Sequence, residues 1–177
     1  SYFDDIITGT ITTDEHIDQL EIMLQRLRKY GLRLKPTKCN LLYNELKILG
    51  ITTNANGTRM TDDQIAAVQN LKEPRSVKQL QRCLGLFCYY KAYIQDYSVI
   101  AKPLQDLLHK DTKYVWTDKQ QKAFDKLKEL LLQPPALAHF IPGLGAIIHS
   151  DASKDGAGVA LHQIQNGEEK VISFASK

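Results

Sequence analysis

Two adjacent carboxylates, Asp4 and Asp5, stand near the start of a 177-residue chain, preceded by Tyr2 and Phe3 and followed by β-branched residues. Neighbouring acids at a turn repel, and a cation that lies between them offsets the cost of keeping both ionised. A divalent metal held through carboxylate oxygens can align and neutralise the reacting oxygens of a phosphoryl transfer, so the pair could serve that chemistry. An Asp-Asp pair is also a common solvated turn, and the dipeptide alone does not decide between the two. Asp151 ends the apolar run Ala146-Ile147-Ile148, where an isolated carboxylate in a buried strand is costly unless it is hydrogen-bonded or metal-bound. Gln81, Gly85 and Tyr89 recur every four residues and therefore share one helix stripe, which could pack on a neighbouring helix with Gly85 permitting close approach.

The elements that would position these residues are legible from caps and turns. Ser1 to Thr10 suits two strands folded around a tight turn, with the acidic pair at its tip. Thr12 with Glu15 forms a capping box, and Ile17, Leu20, Leu24 and Leu27 follow at helical spacing until Gly31. Leu46 to Thr53 reads as a strand, and Asn56-Gly57 as a two-residue hairpin turn into Thr58 to Met60. Thr61 with Gln64 opens a helix that Pro74 ends, and Ser76 with Gln79 opens one running to about Tyr93. Thr117 with Gln120 opens another, broken at Gln133-Pro134-Pro135. Beyond Pro142-Gly143 three apolar runs, with a turn at Asn166-Gly167, predict a β-meander with no helix after it to cover its apolar face. The expected fold is α+β, with a boundary at 134–145.

Composition adds limits. A hydrophobic fraction of 43% supports a packed core. No run approaches the roughly 18 apolar residues of a membrane helix, and the acidic start does not suit a secretory signal, so a soluble intracellular chain is expected. Cys39, Cys83 and Cys88 lack zinc-site spacing and are expected to be buried thiols, and His149 and His162 read as strand residues. The net charge of +3 is small, yet basic residues cluster in Arg26 to Lys38 and in Lys72, Arg75, Lys78 and Arg82.

Tyr2-Phe3-Asp4-Asp5 resembles the Tyr-x-Asp-Asp box of reverse transcriptases, and the segments downstream of it keep that family's order. Tyr30 to Cys39 resembles the next palm motif. Ile48-Leu49-Gly50 is similar to the start of the primer-grip hairpin. Ser76 to Ile94, with Leu84-Gly85 and Tyr89-Tyr90, is similar to the thumb helix of gypsy-type long-terminal-repeat retrotransposons. Ile100 to Leu104, Trp116, Ala123-Phe124 and Leu127-Lys128 resemble their connection, and Ser150-Asp151-Ala152-Ser153 with Gly156 to Leu161 the first strands of their ribonuclease H domain. The resemblance implies a palm hairpin and helix at 1–60, thumb and connection helices at 61–133, and part of a ribonuclease H-like sheet at 134–177.

It also implies roles. Asp4, with Asp5 beside it, would bind Mg²⁺ or Mn²⁺, while a further palm aspartate of the family lies upstream of the motifs found here. Asp151 would be the first of four acidic ribonuclease H ligands. Lys38, with Lys35 as competitor, would protonate leaving pyrophosphate. Tyr2, Phe3 and Gly50 would lie near the primer end. Gln81, Gly85 and Tyr89 would track the minor groove, with Lys78 and Arg82 on phosphates. The implied partners are an RNA/DNA primer-template, an RNA–DNA hybrid, dNTP in the parent enzyme, and the rest of a Pol polyprotein, in a cytoplasmic particle or the nucleus, without a membrane. The alternative is a catalytically incomplete nucleic-acid-binding remnant or domesticated fragment.

Overall fold

A computed structural model describes residues 5–110, 112–154 and 156–177. The chain divides into two compact units, Ser1–Asn44 and Glu45–Lys177.

The first unit is built on helix α1, Thr13–Lys29. Its capping box forms as expected, with Thr12 Oγ1 accepting from the Glu15 amide and Glu15 accepting from the Thr12 amide, each at 3.3 Å. Acids in its first turn and bases in its last suit the helix dipole. Gly31, at φ +69°, reverses the chain, and the Leu32 amide reaches back to Leu27 O at 2.9 Å. Of the α1 stripe only Leu27 is buried within this unit, while Ile17 and Leu24 stay half exposed, because so short a segment has little surface to lay over a helix face. Residues 6–10 carry no strand, so the second arm of the expected hairpin does not form there. Thr8 and Thr10 spend their hydroxyls on Gln19 and on the Thr12 carbonyl instead. Tyr2, Phe3 and Asp4 lie outside the described residues.

The second unit opens with three antiparallel strands in sequence order, β1 (Glu45–Ile48), β2 (Ile51–Asn54) and β3 (Gly57–Met60). The single strand expected at 46–53 is thus two strands, folded at Leu49-Gly50, whose φ values of +52° and +77° make a tight turn of the mirror-image type. A leucine at positive φ carries no sequence signal for that turn. The second turn falls on Ala55-Asn56, one residue earlier than expected, and Gly57 is the first residue of β3. Its reason lies elsewhere: Leu137 crosses β3 here, and any Cβ at Gly57 would collide with its carbonyl oxygen.

Four helices come next. Helix α2 (Asp62–Gln69) is capped by Thr61 and ends at Asn70, well before Pro74, with Lys128 Nζ donating to the Gln69 and Leu71 carbonyls at 3.2 and 2.7 Å. Helix α3 (Val77–Tyr89) is capped by Ser76, and a short 3-10 turn, Lys91–Tyr93, continues it. Helix α4 (Tyr97–Gln105) begins after Asp96 in the left-handed region and was not among the expected helices. Helix α5 (Asp118–Leu132) carries the predicted box of Thr117 and Gln120. A second sheet, β4 (Ala146–Ser153), β5 (Gly156–Gln165) and β6 (Glu168–Ser176), is the expected meander. Its Asn166-Gly167 turn has both φ values positive.

One core holds this unit together: Met60, Val68, Leu80, Phe87, Ile94, Leu104, Phe124, Leu127 and Leu131 are essentially inaccessible. Val171 and Phe174 of β6 pack against it, and the Ser98 amide donates to Ser176 Oγ at 2.8 Å. Packing therefore joins residues on either side of 134–145. One face of the meander is covered by the helices, contrary to the expectation of an uncovered sheet; the opposite face leaves Ile148 and Val159 exposed. Of the cysteines only Cys83 is buried, where burial pushes its thiol pKa up, while Cys39 and Cys88 are exposed. Among the described residues no helix is long and apolar enough to cross a membrane.

Candidate nucleic-acid interface

Helix α3 sorts its side chains by face. Leu80, Cys83, Leu84 and Phe87 point into the core, whereas Lys78, Gln81, Arg82, Gly85 and Tyr89 are exposed. At 3.6 residues per turn those five fall within an arc of about 100°. The helix contains no acidic residue. Among the described residues none of Lys72, Arg75, Lys78 and Arg82 is engaged in an ion pair, so their charges are available to a polyanion.

Gly85 separates two readings of the stripe. A Cβ built there meets nothing within 4 Å, so no neighbouring helix requires the glycine. Mid-helix glycine costs about 1 kcal/mol relative to alanine, and no packing contact among the described residues offsets that cost. The helix-packing reading is therefore not what the structure holds.

The C-terminal end of the stripe is fastened to the β1–β2 turn. Tyr89 Oη donates to Leu49 O at 2.7 Å while the residue stays 53% exposed. Tyr90, fully buried, donates to Gly50 O at 3.2 Å, and the Thr61 amide donates to the same oxygen at 3.1 Å. Tyr93 completes the row by donating to Thr58 Oγ1 at 3.1 Å. The Tyr89 and Tyr90 rings meet edge to face, 4.8 Å between centroids. Burial, with Tyr89 and Tyr93 adding to it, pushes the Tyr90 pKa up to about 12, so it remains a neutral donor. Gly50, at φ +77°, has no room for a Cβ beneath the Tyr90 hydroxyl. The stripe and the turn thus form one continuous surface. Spacing points to Gln81, Gly85 and Tyr89, and the family resemblance to Gly50, but the hold of Tyr89 and Tyr90 on the Leu49-Gly50 turn leaves no local pattern.

The other candidate residues lie on other elements. Asp5 is exposed in the first unit. Lys38 ends an exposed 3-10 turn, Pro36–Lys38, and Lys35 precedes it. Asp151 lies on β4, an edge strand of its sheet, paired with Gly158, and is exposed rather than buried. A site for two metal ions needs several converging carboxylates. Asp4 lies outside the described residues, and Asp5 and Asp151 belong to different units.

Comparison with known proteins agrees with this layout. Residues 1–53 match the family model described as reverse transcriptase (RNA-dependent DNA polymerase), and residues 116–177 match that of an RNase H-like domain found in reverse transcriptase. Both families generally depend on divalent metals. The chain is 30% identical over 162 residues to the Tf2-3 and Tf2-7 transposon polyproteins of Schizosaccharomyces pombe, a match covering 92% of this chain and 12% of each polyprotein. The chain therefore spans about an eighth of those relatives. Among solved structures it is similar to the foamy viral protease-reverse transcriptase in complex with RNA/DNA hybrid, with TM-score 0.80 and 26% identity over 96% of this chain and 23% of that one. The same viral protein in complex with dsDNA matches at TM-score 0.78 and 26% identity, over 95% of this chain and 35% of that one. The chain therefore carries a reverse transcriptase segment followed by an RNase H-like segment, and over most of its length it is homologous to long-terminal-repeat retrotransposon polyproteins.

Proposed function

We propose that the α3 stripe and the Leu49-Gly50 turn are the surface on which a retroelement polymerase seats its primer-template duplex, the chain being one part of an RNA-directed DNA polymerase with RNase H. The observation that carries this reading is Gly85: a glycine exposed in mid-helix, between unpaired basic side chains and an exposed tyrosine, suits a partner whose backbone comes close. An A-like minor groove offers 2′-hydroxyls and sugar edges without a base code, which Gln81 and Tyr89 can meet by hydrogen bonding and packing. Lys78 and Arg82 supply phosphate contacts. The complexes formed by the foamy viral relative with RNA/DNA hybrid and dsDNA support the same class of ligand.

In the parent polyprotein, Asp4 and Asp5 would hold Mg²⁺ or Mn²⁺ together with a carboxylate from the upstream palm, with dNTP as substrate, Tyr2 and Phe3 beside the primer end, and Lys38 as general acid. Asp151 would contribute to the RNase H ions. The parts would be palm with primer-grip hairpin (1–60), thumb and connection (61–133) and RNase H-like sheet (134–177), acting in a cytoplasmic particle or the nucleus. The test is a gel-shift titration of the chain with an RNA–DNA hybrid at low salt, expected to show binding that weakens in Gln81→Ala and Arg82→Ala. Binding that is absent, or indifferent to both substitutions, removes the proposal. The alternative, a nucleic-acid-binding remnant without chemistry, would be excluded by primer extension by the chain with Mg²⁺.

A further inference from the structure

The helix-facing side of the meander carries a cluster that the polymerase reading leaves unused. His149 of β4, His162 of β5 and Glu169 of β6 contribute one residue from each strand, and their donor atoms all lie within 4.8 Å of one another. Glu169 Oε1 stands 2.8 Å from His149 Nε2 and 2.8 Å from His162 Nδ1, and the two imidazoles meet edge to face at 4.7 Å. His162 is largely covered, and its Nδ1 is inaccessible yet forms no well-directed hydrogen bond, even with the carboxylate so near. The same carboxylate oxygen is hydrogen-bonded to His149 Nε2, which leaves His162 Nδ1 as a buried polar atom without a partner. The cluster exists because the strand register makes it: Ile147 pairs with His162, placing that ring diagonally beside His149, and Ile164 pairs with Glu169 on the same face.

We propose that His149, His162 and Glu169 bind a zinc-type divalent ion, with a water in the fourth position. Two imidazoles and one carboxylate are the ligand set of open tetrahedral zinc sites, with bonds of about 2.0–2.2 Å, which place donors roughly 3.3 Å apart. Small side-chain rotations bring atoms now within 4.8 Å to that spacing. Imidazole-rich sites favour zinc, cobalt or nickel over magnesium, whose preference is for oxygen. The site is therefore chemically distinct from the carboxylate sites of nucleotidyl transfer. Its ion would tie β4, β5 and β6 together through side chains.

The experiment needs no nucleic acid, so its failure is separable from that of the proposed function. A tag-free chain carrying Cys39→Ser and Cys88→Ser, which removes the two exposed thiols, is titrated with Zn²⁺ by calorimetry and with Co²⁺ by visible absorption. Expected are one ion per chain, the spectrum of tetrahedral cobalt, and a higher thermal midpoint with Zn²⁺. Glu169→Gln, nearly isosteric, and His149→Ala, at an exposed position, should each weaken Zn²⁺ binding by about 100-fold or more, since even outer partners of zinc ligands contribute 10- to 100-fold. Circular dichroism must show both variants folded. No binding at micromolar Zn²⁺, affinity unchanged in both folded variants, or displacement of Zn²⁺ by equimolar Mg²⁺ would overturn the proposal.

Discussion

The hydroxyl of Tyr89 donates to the main-chain oxygen of Leu49 across forty residues of sequence, at 2.7 Å, and so fixes the tip of a hairpin to the end of a helix. Both groups border solvent, so the bond contributes less to stability than to geometry. Tyr89→Phe keeps the ring and removes the bond; it should cost about 1 kcal/mol in urea unfolding. Amide exchange at Leu49 and Gly50 should accelerate more than exchange in the core of α3. Equal acceleration in both would show that the bond does not hold the turn.

Gly85 makes opposite demands on stability and binding. With open space where a Cβ would stand, Gly85→Ala should stabilise the chain by about 1 kcal/mol through its helix preference. The same methyl should weaken affinity for an RNA–DNA hybrid. Stabilisation with unchanged affinity would separate the glycine from the ligand.

Charge on the stripe can be counted through salt. Removing one phosphate-binding side chain should lower the slope of log K against log salt by roughly 0.7–0.9. Lys78→Ala and Arg82→Ala, both at exposed positions, should each show about one such decrement and the pair about two, measured by fluorescence anisotropy at several salt concentrations. Slopes that match the parent chain would place the phosphates elsewhere.

Gly57→Ala should be among the most damaging single changes. The new methyl collides with Leu137 O at a φ of +142°, so either β3 or the crossing segment must move. A loss of about 3 kcal/mol is expected from strain and overpacking together. Thermal unfolding gives the value, and a change smaller than about 1 kcal/mol would mean that the crossing yields easily.

Alkaline pH should loosen the tyrosine row. Burial pushes both Tyr90 and Tyr97 to about 12, above the value near 10 of an unfolded tyrosine. A phenol whose pKa is raised by folding contributes stability that is fully present below pH 10 and is lost as pH rises through 12. Unfolding free energy should therefore fall across that window, less steeply in Tyr90→Phe. Identical pH profiles would show that Tyr90 ionises as freely in the fold as out of it.

What could be read from the sequence was local. Thr12, Thr61, Ser76 and Thr117 each announce a helix, since a hydroxyl cap and the first turn lie within three residues of one another. The α3 stripe is set by helical period alone. Features decided at long range stayed hidden: the Leu49-Gly50 turn is held by tyrosines forty residues away, and the glycine of Asn56-Gly57 answers to Leu137 rather than to its own turn. Exposure of Asp151 and the meeting of His149, His162 and Glu169 depend on strand order and sheet register, which periodicity does not encode.

The crossing at residues 137 and 138 has a consequence for distance. Leu137 exchanges two main-chain bonds with Thr58, at 2.7 and 2.9 Å, and the next residue, Ala138, donates to Val171 O at 2.8 Å. Two consecutive peptides thus stitch the first sheet to the second. A tether would let the nuclease-like strands wander with respect to the tyrosine-anchored turn; this stitch makes the second unit a gauge of set length. A duplex gripped at one end of such a gauge would meet the other end at a number of base pairs fixed by peptide geometry.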